Sequence, residues 1–386
     1  MKLCKQVCWG IFLAFTIIYL YHFQHSLLEM IQYSWSDGKT HYDRVIGTTI
    51  ITGIASVISA LVAIFTRLPQ RLYALIFFPA FLSLGILTAV HVEAGNVVPS
   101  LAWLIATPLL IILYIGLLRF AHFYKPFLVP LRATNFLSQP WHTNITILIV
   151  LMSLTLLMGN GDRTLHTRLN TEHNIKQRQW DAALAEGFPQ YDNDSSLTML
   201  RAIALANKGL LGEQLFRYDI TGDSRSLFPQ HDHSADFLLC SGYRLWQTIG
   251  FVPRDITEHP TVILRRELRR GTARPAARDY LLCAYLLDRN LSDFAATLPR
   301  YYAINDSLPQ HYREALLIYD KQRGNLHEEA DSVKGAYAAL CADYADCLAV
   351  MRKQRDATLR HTALRDNYFG TYWYYYYSRT NDKNKK

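Results

Sequence analysis

Apolar and polar positions along the chain fall into two regimes. Up to about residue 158 apolar residues form long runs with few charges, and beyond it they recur at helical spacing among polar ones. A membrane-spanning helix needs about 20 mainly apolar residues. Five stretches approach or reach that length: 7–23, 45–66, 72–92, 100–118 and 142–159. From residue 160 the pattern is amphipathic. Leu197, Leu200, Ala204 and Leu205 make one stripe, with Asp194 and Ser195 placed as N-caps and Gly209 as a stop. Tyr280, Leu281, Ala284, Tyr285 and Leu287 make a second, and Tyr312, Ala315, Leu316 and Tyr319 a third that ends at Gly324. β-branched alternating runs are scarce there, and no Asn-Gly turn joins two of them into a hairpin. The predicted class is therefore all-α: a five-helix transmembrane bundle over 1–160, a helical domain over 161–378 and a solvated basic tail, 379–386.

Short turns lead into second helices at 177–184, 208–215 and 289–298, each opening on a polar break and a large apolar residue, Trp180, Leu211 or Leu291. Trp180 and Leu211 stand 31 residues apart, near the ~34-residue period of tetratricopeptide helix pairs. Residues 197–216 are similar to one such repeat, although the Trp-x2-Leu-Gly consensus is absent. The expectation is a degenerate tetratricopeptide-like array, interrupted at 219–233 and 250–275, with Trp180, Leu184, Leu215 and Leu298 facing the interior. Stacked repeats bury what one unit cannot and leave a concave face exposed.

Charge sharpens the division. Residues 1–158 hold nine Lys/Arg and four Asp/Glu, whereas 159–386 hold 31 and 28. A single soluble domain, a collagen-like fibre and a disordered tail protein are excluded. The net charge of +8 divides into +5 and +3. No dense Lys/Arg stripe carries interleaved aromatics, so nucleic acid is not an expected partner. Basic residues in short loops stay cytoplasmic. With the N-terminus inside, the inner segments carry Lys2, Lys5, Arg67, Arg71, Arg119, Lys125 and Arg132, and the outer loops only Lys39 and Arg44. Five spans then place residue 160 onward outside the cytoplasm. The first run reads as an uncleaved anchor, because His22-Phe23-Gln24-His25 follows it in place of a small-x-small cleavage site. His91 and Glu93 sit at the predicted end of span three, and the span middles lack ionisable residues, which argues against a coupled transporter. Ala55, Ser59 and Ala63 form a small-residue stripe suited to packing within the bundle. Pro79 and Pro108 are expected to kink spans three and four.

Candidate chemistry is sparse. His231-Asp232-His233, with Asp236 or His259, is the one metal-like cluster, and a polar loop explains it equally. Cys240 and Cys283 could pair in an oxidising compartment, whereas Cys341 and Cys347 lie on different faces of one helix. Asp37 and Asp43, with Lys39, His41 and Arg44, occupy the first external loop, where multi-span glycosyltransferases place a catalytic acid. Ordinary loop carboxylates explain the same residues. Tyr372–Tyr377 pack six aromatics together, suited to closing the array or to an interface. No P-loop, dinucleotide fingerprint, GxSxG elbow or HExxH helix is present.

Three motifs remain: SDGKTHYDRVIGT (36–48), LPQHYREALLIY (308–319) and YFGTYWYYYY (368–377). In this order they resemble a family of uncharacterised multi-span membrane proteins from Bacteroidetes, classed only as a domain of unknown function, over nearly the whole chain. The resemblance implies an inner-membrane protein with an external helical domain. It brings no activity, cofactor or catalytic residue. The expected function is a membrane-anchored scaffold that binds an envelope protein through its helical array. No catalytic, cofactor-binding or metal residue is assigned. The alternative is a glycosyltransferase-like enzyme acting through the first external loop.

Overall fold

The computed structural model describes residues 2–93, 96–123, 139–188, 194–229, 238–240, 242–253, 257–271, 274–323, 336–354 and 356–379. The chain forms two compact units, Met1–Leu169 and Asn170–Lys386. Among the described residues it is all-helical apart from one short hairpin, and five helical stretches in the first unit are long and apolar enough to cross a membrane.

In the first unit α1 (Lys2–Ile18) continues through a π-helical turn, Tyr19–Phe23, and α2 (His25–Trp35) follows at once. Next come α3 (Arg44–Thr66), a 3-10 segment at Gln70–Phe77, α4 (Phe78–Thr88), strands β1 (Val90–Glu93) and β2 (Asn96–Pro99), α5 (Leu101–Phe123), α6 (Gln139–Met158) and α7 (Arg163–Lys176), within which the unit boundary falls. The apolar spans are Leu3–Phe23, Arg44–Thr66, Gln70–Thr88, Leu101–Phe123 and Trp141–Met158. The third departs from its sequence pattern. Helix α4 stops at Thr88, and Val90–Glu93 pairs antiparallel with Asn96–Pro99. The β-branched Val90, Val92, Val97 and Val98 favour this ladder, so His91 and Glu93 lie on a strand, 3.9 Å apart. Pro79 opens α4 in its first turn, where its missing N–H costs nothing, and the chain before it is 3-10. Pro108 lies inside α5.

Irregular backbone at membrane depth must find partners within the protein. Asn144 on α6 supplies them: its Oδ1 accepts from Ala74 N (2.8 Å) and its Nδ2 donates to Gln70 O (2.8 Å). Trp9, Phe12, Phe77 and Phe81 pack edge-on and stacked between α1 and this segment. On α3 the buried face is Thr48, Thr52, Ala55 and Ser59, which places Ala55 and Ser59 of the small-residue stripe inside the bundle, while Ala63 is half-buried.

The second unit continues with α8 (Trp180–Ala185), α9 (Ser195–Asn207), α10 (Leu211–Gln214), α11 (Gly242–Ile249), α12 (Pro260–Arg270), α13 (Ala276–Leu287), α14 (Leu291–Thr297), α15 (Gln310–Arg323), α16 (Ala336–Lys353), α17 (Ala357–Tyr368) and α18 (Tyr372–Ser378). Helices α9 and α13 are its centre, buried on nearly every face. Asp194 caps α9 by accepting from Leu197 N at 2.6 Å.

Three helix-to-helix joints share one geometry. Arg178, Gly209 and Arg289 each take a left-handed conformation, φ 58°, 70° and 58°. The next N–H reaches back five residues, Gln179 to Asn174 O, Leu210 to Leu205 O and Asn290 to Tyr285 O, at 2.8, 2.9 and 2.8 Å. The left-handed residue's own N–H reaches back three, to Ile175, Ala206 and Leu286. This is the Schellman stop, which satisfies the last carbonyls of a helix and turns the chain. Leu184, Leu215 and Leu298 are buried, as their spacing predicts, but Trp180 is only partly buried. Its helix is short and one face of the indole is left to a cleft.

The six cysteines form no disulfide; Cys240 and Cys283 are both buried. The proposed metal residues His231, Asp232, His233 and Asp236, and tail residues 380–386, lie outside the described residues. Among the described residues no three His, Cys, Asp or Glu converge as a metal site. His259 faces Thr261 Oγ1 (2.9 Å) and Asp288 (3.6 Å).

Candidate functional site

Three places bear on function: a buried polar centre at α15, the loop at 36–48 and a basic cleft. The first joins two of the sequence motifs. Glu314 of LPQHYREALLIY is fully buried. Its Oε2 accepts from Tyr372 N (2.6 Å) and from His311 Nδ1 (3.0 Å), and its Oε1 from Gln310 Nε2 (2.8 Å). Trp373 Nε1 donates to Glu314 O (3.1 Å), while Tyr372 and Tyr375 hydroxyls donate to Leu286 O and Leu287 O. The aromatic run is thus a helix, capped by Thr371 and docked on α13 and α15. Every one of these contacts closes the fold, and no accessible reacting atom is left.

A second buried carboxylate lies on α13. Asp279 Oδ1 accepts from Tyr302 (2.6 Å) and Tyr312 (3.1 Å) hydroxyls. Burial raises its pKa above the ordinary aspartate range, and the two tyrosine bonds oppose that rise. A raised folded-state pKa means the protonated form is favoured, so this group adds stability at low pH that is lost as pH rises through its folded value. Asp279→Asn keeps the acceptor oxygen and removes the titration. Relative to this variant, wild type should gain stability as the pH falls from neutral toward the ordinary aspartate range; urea midpoints followed across that fall measure it, and parallel midpoints would contradict it.

Residues 36–48 place Asp37 and Asp43 in different roles. Asp43 caps α3, its Oδ1 accepting from Val45 N (2.9 Å) and Ile46 N (2.8 Å). Asp37 holds a left-handed conformation (φ 49°), and its side chain is 86% exposed, 4.0 Å from Lys39. An apolar groove of about 530 Å³ runs beside the loop, lined by Ser36, Thr40 and Tyr42 from it, yet neither carboxylate reaches the lining.

The basic cleft, about 810 Å³, lies in the second unit. Its walls come from the end of α7 and the following joint (Lys176, Arg178, Trp180), from Asn207 at the end of α9, from α11 (Arg244, Gln247, Thr248) and from Arg274. Helix α11 is amphipathic: Leu245, Trp246 and Ile249 are buried, with Trp246 stacked on Phe228 at 5.4 Å, so Arg244 and Gln247 face outward. The adjoining wall is pinned by the fully buried Glu172, whose carboxylate accepts from Leu238, Leu239 and Cys240 N–H at 3.1, 2.6 and 2.8 Å. Gly250, at φ 113°, leaves room for the Arg274 stem; a Cβ there would come within 2.9 Å of it. Among the described lining residues four are cationic and none is acidic. Sequence alone does not show this site, because its charges come from three separate segments; the local signal is an Arg at a turn position that suits glycine.

The fold and these sites define a class: an all-helical protein with five apolar helices fit to cross a membrane and a second helical unit that carries a basic cleft. The chain belongs to the family of unknown function DUF6057, whose model matches residues 100–253 and 254–379. The two matches include the motifs at 308–319 and 368–377 and the described cleft residues, and exclude the loop at 36–48. No curated protein and no solved structure matches the chain.

Proposed function

We propose that the chain is a non-catalytic, membrane-anchored scaffold. In this reading its five spans sit in the inner membrane with the N-terminus cytoplasmic, and the helical unit binds an acidic segment of an envelope protein in the basic cleft. The observation that carries the reading is Arg178. A left-handed backbone costs an L-residue about 1–2 kcal/mol, and the matching joint at Gly209 uses the residue that avoids that cost. Arg178 instead places a cation in the cleft beside Lys176, Arg244 and Arg274, with the amide of Gln247 available to a peptide backbone and Trp180 and Phe251 to its apolar side chains. At the third joint Arg289 has a contact of its own, its guanidinium 6.0 Å from the Tyr376 ring.

The enzyme alternative needs a carboxylate facing substrate. The cap role of Asp43 and the exposure of Asp37 both favour the scaffold. Asn is as good a cap as Asp, so Asp37→Asn/Asp43→Asn should leave folding intact. In a deletion strain this double variant is expected to complement as wild type does, while Arg178→Gly/Arg274→Gln fails at equal expression. The opposite pattern would replace the scaffold with the enzyme.

A further inference from the structure

The apolar groove beside the loop at 36–48 has its own construction. Its floor runs along α3 from Ile51 to Ile58 and along α4 from Ala80 to Leu87, eight residues each, hence about 10 Å from end to end at about 1.5 Å rise per residue. These stretches lie toward the start of α3 and the end of α4, the same end of the bundle. Helix α2 forms one wall with Leu28 and Ile31. One end of the groove is polar: Gln32 Nε2 donates to Thr40 Oγ1 (3.1 Å) and His41 O (3.3 Å), and Ser36 Oγ accepts from Thr40 N (3.2 Å). Trp35, 73% exposed, stands at that end, where amphipathic rings mark the membrane–water interface. The apolar lining continues without a break into the outward residues of α3, among them Ile50, Ile54 and Val57.

We infer that this groove holds one acyl chain of a bilayer phospholipid, with its ester and headgroup region against Gln32, Ser36 and Thr40. Continuity with the lipid-facing side of α3 gives the chain a lateral entry, and the polar end fixes which way the lipid points. The site is separate from the scaffold reading and stands without it. Water is a poor occupant, since an apolar groove offers it too few hydrogen-bond partners.

The test uses the full chain in nanodiscs of phosphatidylethanolamine and phosphatidylglycerol doped with a phospholipid that bears a diazirine on one acyl chain. After irradiation, labelled peptides are mapped by mass spectrometry. Label is expected to concentrate on Leu28, Ile31 and Leu87 over the lipid-facing Leu104, Ile105 and Ile112 of α5. Ser83→Phe and, separately, Ile54→Trp should fill the groove. The new ring leaves no room for the acyl chain, which returns to the bilayer, so groove labelling should fall to the level of α5 while α5 labelling stays constant. Ile54 is 56% exposed, so its variant gives a readout even if Ser83→Phe fails to fold. Even labelling over all lipid-facing helices, unchanged groove labelling in the folded variants, or crosslinks from the groove to a second copy of the chain would each overturn the inference.

Discussion

Glu314→Ala is expected to detach the C-terminal helix and to destabilise the helical unit by about 3–5 kcal/mol, the range for breaking a buried charged contact. Three donors converge on this fully buried carboxylate: Tyr372 N, His311 Nδ1 and Gln310 Nε2. Alanine removes their acceptor without admitting solvent, and each buried donor left unmade costs about 1–3 kcal/mol. With Tyr372 N released, the cap of α18 weakens, and Trp373 and Tyr375 lose their seats on α15 and α13. Thermal melts of the full chain should shift down, and trypsin should reach Arg365 and Arg379 early. Glu314→Gln, which keeps one acceptor oxygen for Tyr372, should fall between the two. An unchanged melt with unchanged proteolysis would show that the aromatic helix docks by apolar contact alone.

The second large effect concerns the cleft. Arg178→Gly/Arg274→Gln should weaken binding of a fluorescent glutamate-rich peptide by tenfold or more, because hydrogen bonds to charged groups are worth about 1.5–3 kcal/mol each. The pair is chosen so that the fold survives. Glycine suits φ 58° better than arginine does, and glutamine keeps much of the stem that lies over Gly250. Anisotropy titrations with the full chain in detergent should give weaker wild-type binding as salt rises, since exposed charges are screened. A salt-independent affinity that the double variant shares with wild type would remove the cleft from the account.

The architecture was legible because long apolar runs, helical stripes and Asp/Gly stops are local signals. The turns before Trp180, Leu211 and Leu291 are marked locally by polar breaks, but their Schellman form is not, since two of the three left-handed residues are arginines. The hairpin at Val90–Pro99 was hidden inside an apolar run, where hydropathy does not distinguish the end of a span from a strand. The link between 308–319 and 368–377 was visible only as two motifs; nothing local shows that Glu314 receives Tyr372 N across 58 residues. Asp43, a loop carboxylate in the pattern that a catalytic acid could also fit, serves as a cap, a role its place just before the α3 run allows. Trp180 was taken as core because its size suits burial, and short α8 leaves it at the cleft. The cleft was least legible of all, since Lys176, Arg178, Arg244 and Arg274 meet only in three dimensions.

The scaffold claim is tested most directly in cells of the source organism by a photocrosslinking residue at Gln247, on the exposed face of α11 in the cleft. A matched control carries it at Leu359 on α17, 59% exposed and away from the cleft lining. The account predicts a discrete crosslinked protein from Gln247, lost in the Arg178→Gly/Arg274→Gln background and absent from Leu359, whose identified sequence presents an acidic segment on the outer side of the inner membrane. Crosslinks from Gln247 that persist in that background, or that match those from Leu359, would contradict it.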